Sequence, residues 1–158
     1  MIKFSVDVKE MLEKADRVPT LVGLKFTNND LGIGASCLTV GLGKFAVFLG
    51  SDTILAAAMA LGFDSAIGTT LNMLAKQNID IKTAMDAGDV KRASEAQKIL
   101  TSAVKSISKH GSWVGTMKSA MNLMTPIDVG PVREPLLPIP QEKLVQLKEE
   151  LKSLKLIS

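Results

Sequence analysis

The first residue of this chain with chemistry to offer is a lysine near the end of an apolar run. Pro19-Thr-Leu-Val-Gly-Leu-Lys-Phe-Thr27 reads as a buried strand over Leu21–Phe26, with Lys25 where the run gives way to Thr-Asn-Asn-Asp. Burying an ammonium is costly unless it is paired or neutralised. Held in that setting, an amine has its pKa pushed down, and a neutral amine attacks a ketone to form an imine. A lysine that marks where a core strand meets solvent, with its ammonium snorkelling out, satisfies the same pattern. On this stretch alone both readings stand.

Two further polar turns follow at similar spacing. Thr27-Asn-Asn-Asp30, Gly50-Ser-Asp-Thr53 and Gly68-Thr-Thr70 each lie at the carboxyl end of an apolar run. In α/β barrels that is the face on which active sites are built. Singly each turn is an ordinary helix cap. Three in succession, with a lysine on the first strand, leave a site as open a reading as three ordinary caps.

The elements that must carry these turns alternate. A helix is predicted over Val8–Ala15 behind an Asp7 cap, then the Leu21–Phe26 strand, then a helix from Asp30 toward Val40 with Asn28 and Asn29 as cap residues. Gly32 and Gly34 weaken that helix. Lys44-Phe-Ala-Val-Phe-Leu-Gly50 is a second strand, and its unbroken apolar run is what a strand covered on both faces looks like. Ser51-Asp52 caps a helix over Thr53–Leu61, apolar on nearly every side and therefore predicted buried. Phe63–Thr70 is a third strand, and a helix starts over Leu71–Gln77. From Ile79 the pattern is helical only: Ile79–Ala87; Val90–Lys109 on a stripe of Ala93, Ala96, Leu100, Ala103, Val104 and Ile107; Val114–Met124; and Gln141–Leu156 on Leu144, Leu147, Leu151 and Leu154. A proline-rich arm, Pro126–Pro140, precedes the last helix. Met117, Met121 and Met124 fall at helical spacing, which fits core packing better than a cofactor.

Composition narrows the function classes. The 158 residues are 46% hydrophobic and 22% charged, a balance that suits one soluble globular domain. A net charge of +3 with scattered basic residues, one tryptophan and no tyrosine argues against nucleic-acid binding. The single cysteine, Cys37, and single histidine, His110, cannot make an internal disulfide or a zinc site; a half-buried small hydrophobe and a helix-terminal polar residue are their simpler readings. Leu31-Gly-Ile-Gly-Ala-Ser-Cys37 brushes against a dinucleotide fingerprint, but Cys37 stands where the third glycine belongs. The longest apolar run, Ile54–Leu61, is too short to span a bilayer, and the N-terminus does not read as a signal peptide. The expectation is a cytoplasmic, reduced protein with no metal and no membrane partner.

Gly23-Leu-Lys25-Phe-Thr27 with Asp30-Leu, Phe48-Leu-Gly50-Ser-Asp52, and Ala66-Ile-Gly68-Thr-Thr-Leu-Asn72 resemble the N-acetylneuraminate lyase branch of the dihydrodipicolinate synthase superfamily. Ala87-Gly-Asp-Val-Lys-Arg-Ala-Ser-Glu-Ala-Gln97 and Gly130-Pro-Val-Arg-Glu-Pro-Leu-Leu-Pro138 resemble its C-terminal helices and closing arm, so the resemblance runs in order over nearly the whole chain. It implies a class I aldolase of the α/β class on a (β/α)8 barrel with added C-terminal helices. Residues 1–78 would hold strands six to eight of the barrel, and 79–158 the helices and arm of the same domain. By motif, Lys25 would be the Schiff-base lysine, with Thr27, Gly50, Asp52, Thr53 and Thr69 at substrate-contacting positions. The implied substrate is a 2-oxo acid or amino sugar acid, with the imine on lysine as the only cofactor-like group and a homo-oligomer, the family tetramer, as the assembly of a complete chain.

Three departures accompany the resemblance. Thr69 stands where serine is usual. Thr53 stands where glutamate is expected, which removes a charge and a strong acceptor for sugar hydroxyls. Three strands are read where a barrel needs eight, and the tyrosine that relays the proton in the family has no counterpart here. The expectation is therefore the C-terminal part of a lyase-like protein, weak or inactive alone. A non-catalytic half-barrel partner subunit, or an aldolase for another 2-oxo acid, are the alternatives.

Overall fold

Residues 6–158 are described by a computed structural model, in which three short parallel strands carry the polar turns and four longer helices follow. The chain divides into two compact units, one ending at Gly68 and one from Thr69 to Ser158.

The first unit begins with α1 (Val8–Glu13), whose Asp7 cap accepts from the Glu10 N–H at 3.0 Å. A 3₁₀ turn over Ala15–Arg17 leads to β1 (Gly23–Phe26). β1 pairs in parallel with β2 (Ala46–Leu49), and β2 with β3 (Ser65–Ala66), in the order β1-β2-β3. Lys25 stands beside Phe48, and Phe48 beside Ser65. At the amino end of β2 the Asp64 carboxylate completes the ladder by accepting from the Val47 N–H at 2.8 Å.

Side chains alternate across the sheet, and the two faces differ. Phe26, Val47 and Leu49 are buried on one face, whereas Ala46 and Phe48 on the other are half-buried and Lys25 is exposed. The expectation of strands covered on both faces is thus corrected: β2 alternates between buried and half-buried. Of the two readings of Lys25, the solvent-facing one matches the structure: Lys25 is exposed on the less covered face while its neighbour Phe26 enters the core.

α2 (Leu31–Leu38) packs on the covered side. Its cap is Asp30, whose Oδ1 accepts from Gly32 N and Ile33 N at 3.0 and 3.2 Å, while Asn28 accepts from the Asp30 N–H at 3.0 Å. The glycine that weakened this helix in the sequence has a packing reason. A Cβ on Gly34 would lie 2.4 Å from the Phe63 ring and 2.9 Å from that of Phe26, two rings that meet edge-on at 6.1 Å. Cys37, on the same helix, is fully buried rather than half-buried, and burial raises its thiol pKa. After β2, a 3₁₀ turn over Asp52–Ile54 precedes α3 (Leu55–Ala60). Only Leu55 and Ala58 of α3 are buried, so this helix is half-covered where its composition suggested burial on all sides.

In the second unit, α4 (Leu71–Asp86) is one helix where two were predicted. Asn78, between the two predicted stretches, sits on the buried face of the helix and its Nδ2 donates to the Leu74 carbonyl at 2.9 Å. The bend is at Leu74, at φ −122° and ψ 30°. Gly88, at φ 73°, and the Asp89 cap then turn the chain into α5 (Val90–Ser108), which packs along α4. Its predicted stripe is buried except for Ala96, which is half-buried. α6 (Trp113–Met124) and α7 (Gln141–Ser153) both pack on α5, and α7 buries Leu147 and Leu151 fully. The arm between them is pinned to α6 by Lys118, whose ammonium donates to the carbonyls of Val129 at 2.8 Å and Pro131 at 2.7 Å. Among the described residues no helix is long and apolar enough to cross a membrane.

His110, just past α5, is the helix-terminal polar residue expected, and it is buried. Its Nε2 lies 3.3 Å from Glu150 of α7, whose other oxygen is 2.8 Å from the Lys109 ammonium. Burial pushes the Glu150 pKa up, but the Lys109 ammonium and His110 beside the carboxylate outweigh it and the net shift is downward. A carboxylate held below its unfolded value stabilises the fold above that value and loses the contribution as pH falls through the folded one. Glu150→Gln is expected to flatten the fall in unfolding free energy as pH drops below the ordinary glutamate range, relative to the parent chain, read by urea melts at each pH. For the core stripe, Leu100→Ala is expected to cost about 2–5 kcal/mol, since Leu100 is 0% exposed. Ile99→Ala, at a position 50% exposed, should stay within about 0.5 kcal/mol.

Candidate active site

The strand ends bring part of the expected constellation together. Gly50 follows β2 beside the end of β1, and its N–H donates to the Phe26 carbonyl at 2.8 Å. A Cβ there would lie 2.0 Å from Thr27 Oγ1 and 2.9 Å from Lys25 Cε. The Thr27 hydroxyl and the Lys25 stem therefore converge on the space that only glycine leaves open. Among the described residues Lys25 has no hydrogen bond and no ion pair. An amine on the less covered face of a sheet, with a hydroxyl beside it, is placed to meet a carbonyl carbon from solvent.

The second strand end is built the same way. Asp52 is half-buried, and a Cβ on Gly68 would lie 2.3 Å from its Oδ1, so the carboxylate rests on the Gly68 backbone. Ser51 does not cap the following helix through its side chain; its hydroxyl donates to Asn29 Oδ1 at 2.8 Å, tying the turn after β1 to the turn after β2. Thr53 is half-buried in the 3₁₀ turn and carries no charge. Thr69 opens the second unit; it is exposed, and its carbonyl accepts from Asn72 Nδ2 at 2.9 Å.

Three features were not found by reading residues. The Ser51–Asn29 bond joins two turns far apart in sequence, and the seating of Asp52 on Gly68 depends on strand spacing; neither leaves a local pattern. The third is a groove of about 450 Å³ in the second unit, lined by Thr69, Asn72, Met73, Trp113, Met117 and Met121 among others. The methionine spacing was its only signal, and it read as core. Met117 is indeed buried, but Met121 is only half-covered. Among the described residues no group of His, Cys, Asp and Glu side chains is clustered for a metal ion.

The sequence profile of the dihydrodipicolinate synthetase family matches residues 3–154. N-acetylneuraminate lyase of Mus musculus is 31% identical over 160 residues, covering 100% of this chain and 50% of its own length. Among solved structures, the N-acetylneuraminate lyase of Proteus mirabilis superposes with a TM-score of 0.87 at 29% identity, covering 97% of this chain and 52% of that one. The N-acetylneuraminate lyase (sialic acid aldolase) of Aliivibrio salmonicida gives 0.87 at 31% identity, covering 96% and 50%. The chain spans about half the length of the curated relatives it matches.

The glycine at the strand end provides a direct test. Gly50→Ala is expected to displace Thr27 and the Lys25 amine and to lower any amine-dependent capture of a keto acid by about 100-fold, the scale of a 1 Å misplacement. Circular dichroism should show the helices retained. Capture at the parental rate would show that the convergence on Gly50 is not what positions the amine.

Proposed function

This chain belongs to the dihydrodipicolinate synthetase family, and we propose that it carries the imine-forming part of an N-acetylneuraminate lyase-type aldolase. The observation that supports this most is the convergence of Lys25 and Thr27 on Gly50, because an imine needs an accessible amine held beside a small polar group.

In this reading the Lys25 amine adds to the C2 carbonyl of open-chain N-acetylneuraminate. Loss of water gives a protonated imine. When the C3–C4 bond breaks, its electron pair flows into the iminium and leaves an enamine, while the C4 hydroxyl gives up its proton and departs as the aldehyde of N-acetylmannosamine. The enamine takes a proton at C3, and hydrolysis of the iminium releases pyruvate and restores Lys25. Thr27 would hydrogen-bond the reacting carbon's neighbours, and Asp52, Thr53 and Thr69 would bind the polyhydroxylated tail.

The proton leaving the C4 hydroxyl needs an acceptor, and these 158 residues contain no tyrosine. Imine formation and carbon–carbon cleavage should therefore separate in this chain. The cleavage step lacks a positioned acid–base group, a contribution of about 10²–10⁴-fold. Thr53 supports a second reading of the substrate: without a carboxylate at that position, a shorter or less hydroxylated 2-oxo acid is held as well as a sialic acid.

Incubation with pyruvate and borohydride, followed by peptide mass mapping, tests the proposal. The expected result is a reduced pyruvyl adduct on the peptide containing Lys25, lost in Lys25→Ala, with slow or undetectable release of N-acetylmannosamine from N-acetylneuraminate. A folded sample with no adduct, or with adducts spread over surface lysines, would overturn it.

A further inference from the structure

The turns that follow β1 and β2 are held in different ways. On the β1 side the chain is fixed by its own bonds. Asn28 Oδ1 accepts from the Asp30 N–H at 3.0 Å, the Leu31 N–H donates to the Asn29 carbonyl at 3.1 Å, and Asp30 caps α2 through Gly32 N and Ile33 N. Asn29 therefore stands on a turn and a helix cap at once, and its backbone is set without help from its own side chain.

The β2 side is built with less. The ladder between the two strands ends where the Gly50 N–H donates to the Phe26 carbonyl at 2.8 Å. The 3₁₀ turn beyond it, Asp52–Ile54, has a backbone bond of 3.5 Å from the Ile54 N–H to the Ser51 carbonyl, longer than the usual range. Ser51 occupies the N-cap, where a serine hydroxyl ordinarily accepts from an N–H of the turn it precedes. Here it donates instead to Asn29 Oδ1 at 2.8 Å, the usual distance for a hydroxyl donor. A local cap is given up for a bond to a residue 22 positions earlier. Gly68 bounds the Asp52 carboxylate on the β3 side, and the Ser51 bond draws the same turn toward β1.

We propose that Ser51 and Asn29 are positioning residues, whose bond sets the distance between Lys25 with Thr27 at one end of the site and Asp52 with Thr53 at the other. Neither touches the reacting atoms. A ligand that reaches only the amine does not sense that distance, whereas one long enough to meet both ends does. The bond is thus a specificity device: it leaves capture of pyruvate unchanged and favours long, polyhydroxylated 2-oxo acids. The assignment rests on the reading that Lys25 forms the imine and that Asp52 and Thr53 bind the tail.

The 158-residue chain and its variants would be incubated with increasing pyruvate or N-acetylneuraminate in the presence of borohydride, and the initial rate of Lys25 modification read by peptide mass. In the parent chain the rate saturates with both acids. Ser51→Ala and Asn29→Ala are each expected to raise the half-saturating N-acetylneuraminate concentration about fivefold or more, the worth of one hydrogen bond, with the limiting rate unchanged and pyruvate within about twofold of the parent. The double variant should lose no more than either single one, because both changes remove the same bond. Ser51→Thr keeps the hydroxyl on extended backbone, at φ −124° and ψ 103°, which suits a β-branched residue, and should restore the parental value. Equal losses for the two acids, losses that multiply in the double variant, no loss for N-acetylneuraminate, or a parent that captures pyruvate alone would sink the assignment and spare imine formation at Lys25. A folded parent chain with no Lys25 adduct from either acid sinks both.

Discussion

Everything at the strand ends depends on the parallel register that places Lys25 beside Phe48 and Gly50 beside Thr27. A slip of one residue would exchange the faces of β1, sending Lys25 into the core and Phe26 out of it. Two devices oppose that slip. Phe26 is locked edge-on against Phe63 under Gly34, and the Asp64 carboxylate takes the Val47 N–H at the start of β2. The chemistry of the lysine is thus set by packing on the far side of the sheet, by residues that never approach a substrate.

The same constraint explains why glycine recurs at the carboxyl ends of the strands. Strands in a parallel sheet are close enough that a side chain from one end occupies the position a Cβ would take on the next. Gly50 yields that space to Thr27 and Lys25, and Gly68 yields it to Asp52. The polar groups are consequently carried on backbone of fixed spacing rather than on long loops, which is how a short segment can hold a site with little freedom.

How much of this was legible depended on how local each determinant is. The α/β order, the three strands and the long stripe of α5 follow from apolar periodicity, and burial of Ala93, Leu100 and Ile107 agrees with it. The two stretches predicted over 71–77 and 79–87 form one helix, α4, and Asn78 between them lies on its buried face with its amide on the carbonyl at the bend. The exposure of Lys25 was one of two readings the residues allowed, because an unbroken apolar run reads the same whether one face is covered or two. The motifs around Lys25, Gly50 and Gly68 named the family correctly because they record backbone spacing. The Met73–Trp113–Met121 groove was hidden because methionine at helical spacing looks like core whether or not a neighbour covers it.

The fastening of the arm by Lys118 has one more implication. Its ammonium grips main-chain carbonyls of Val129 and Pro131, and Asn122 takes the Val129 N–H. Those groups are present whatever side chains the arm carries. This part of the attachment is therefore blind to the side chains of Val129 and Pro131, and two positions of one helix, Lys118 and Asn122, hold the backbone there whatever outward chemistry those residues carry.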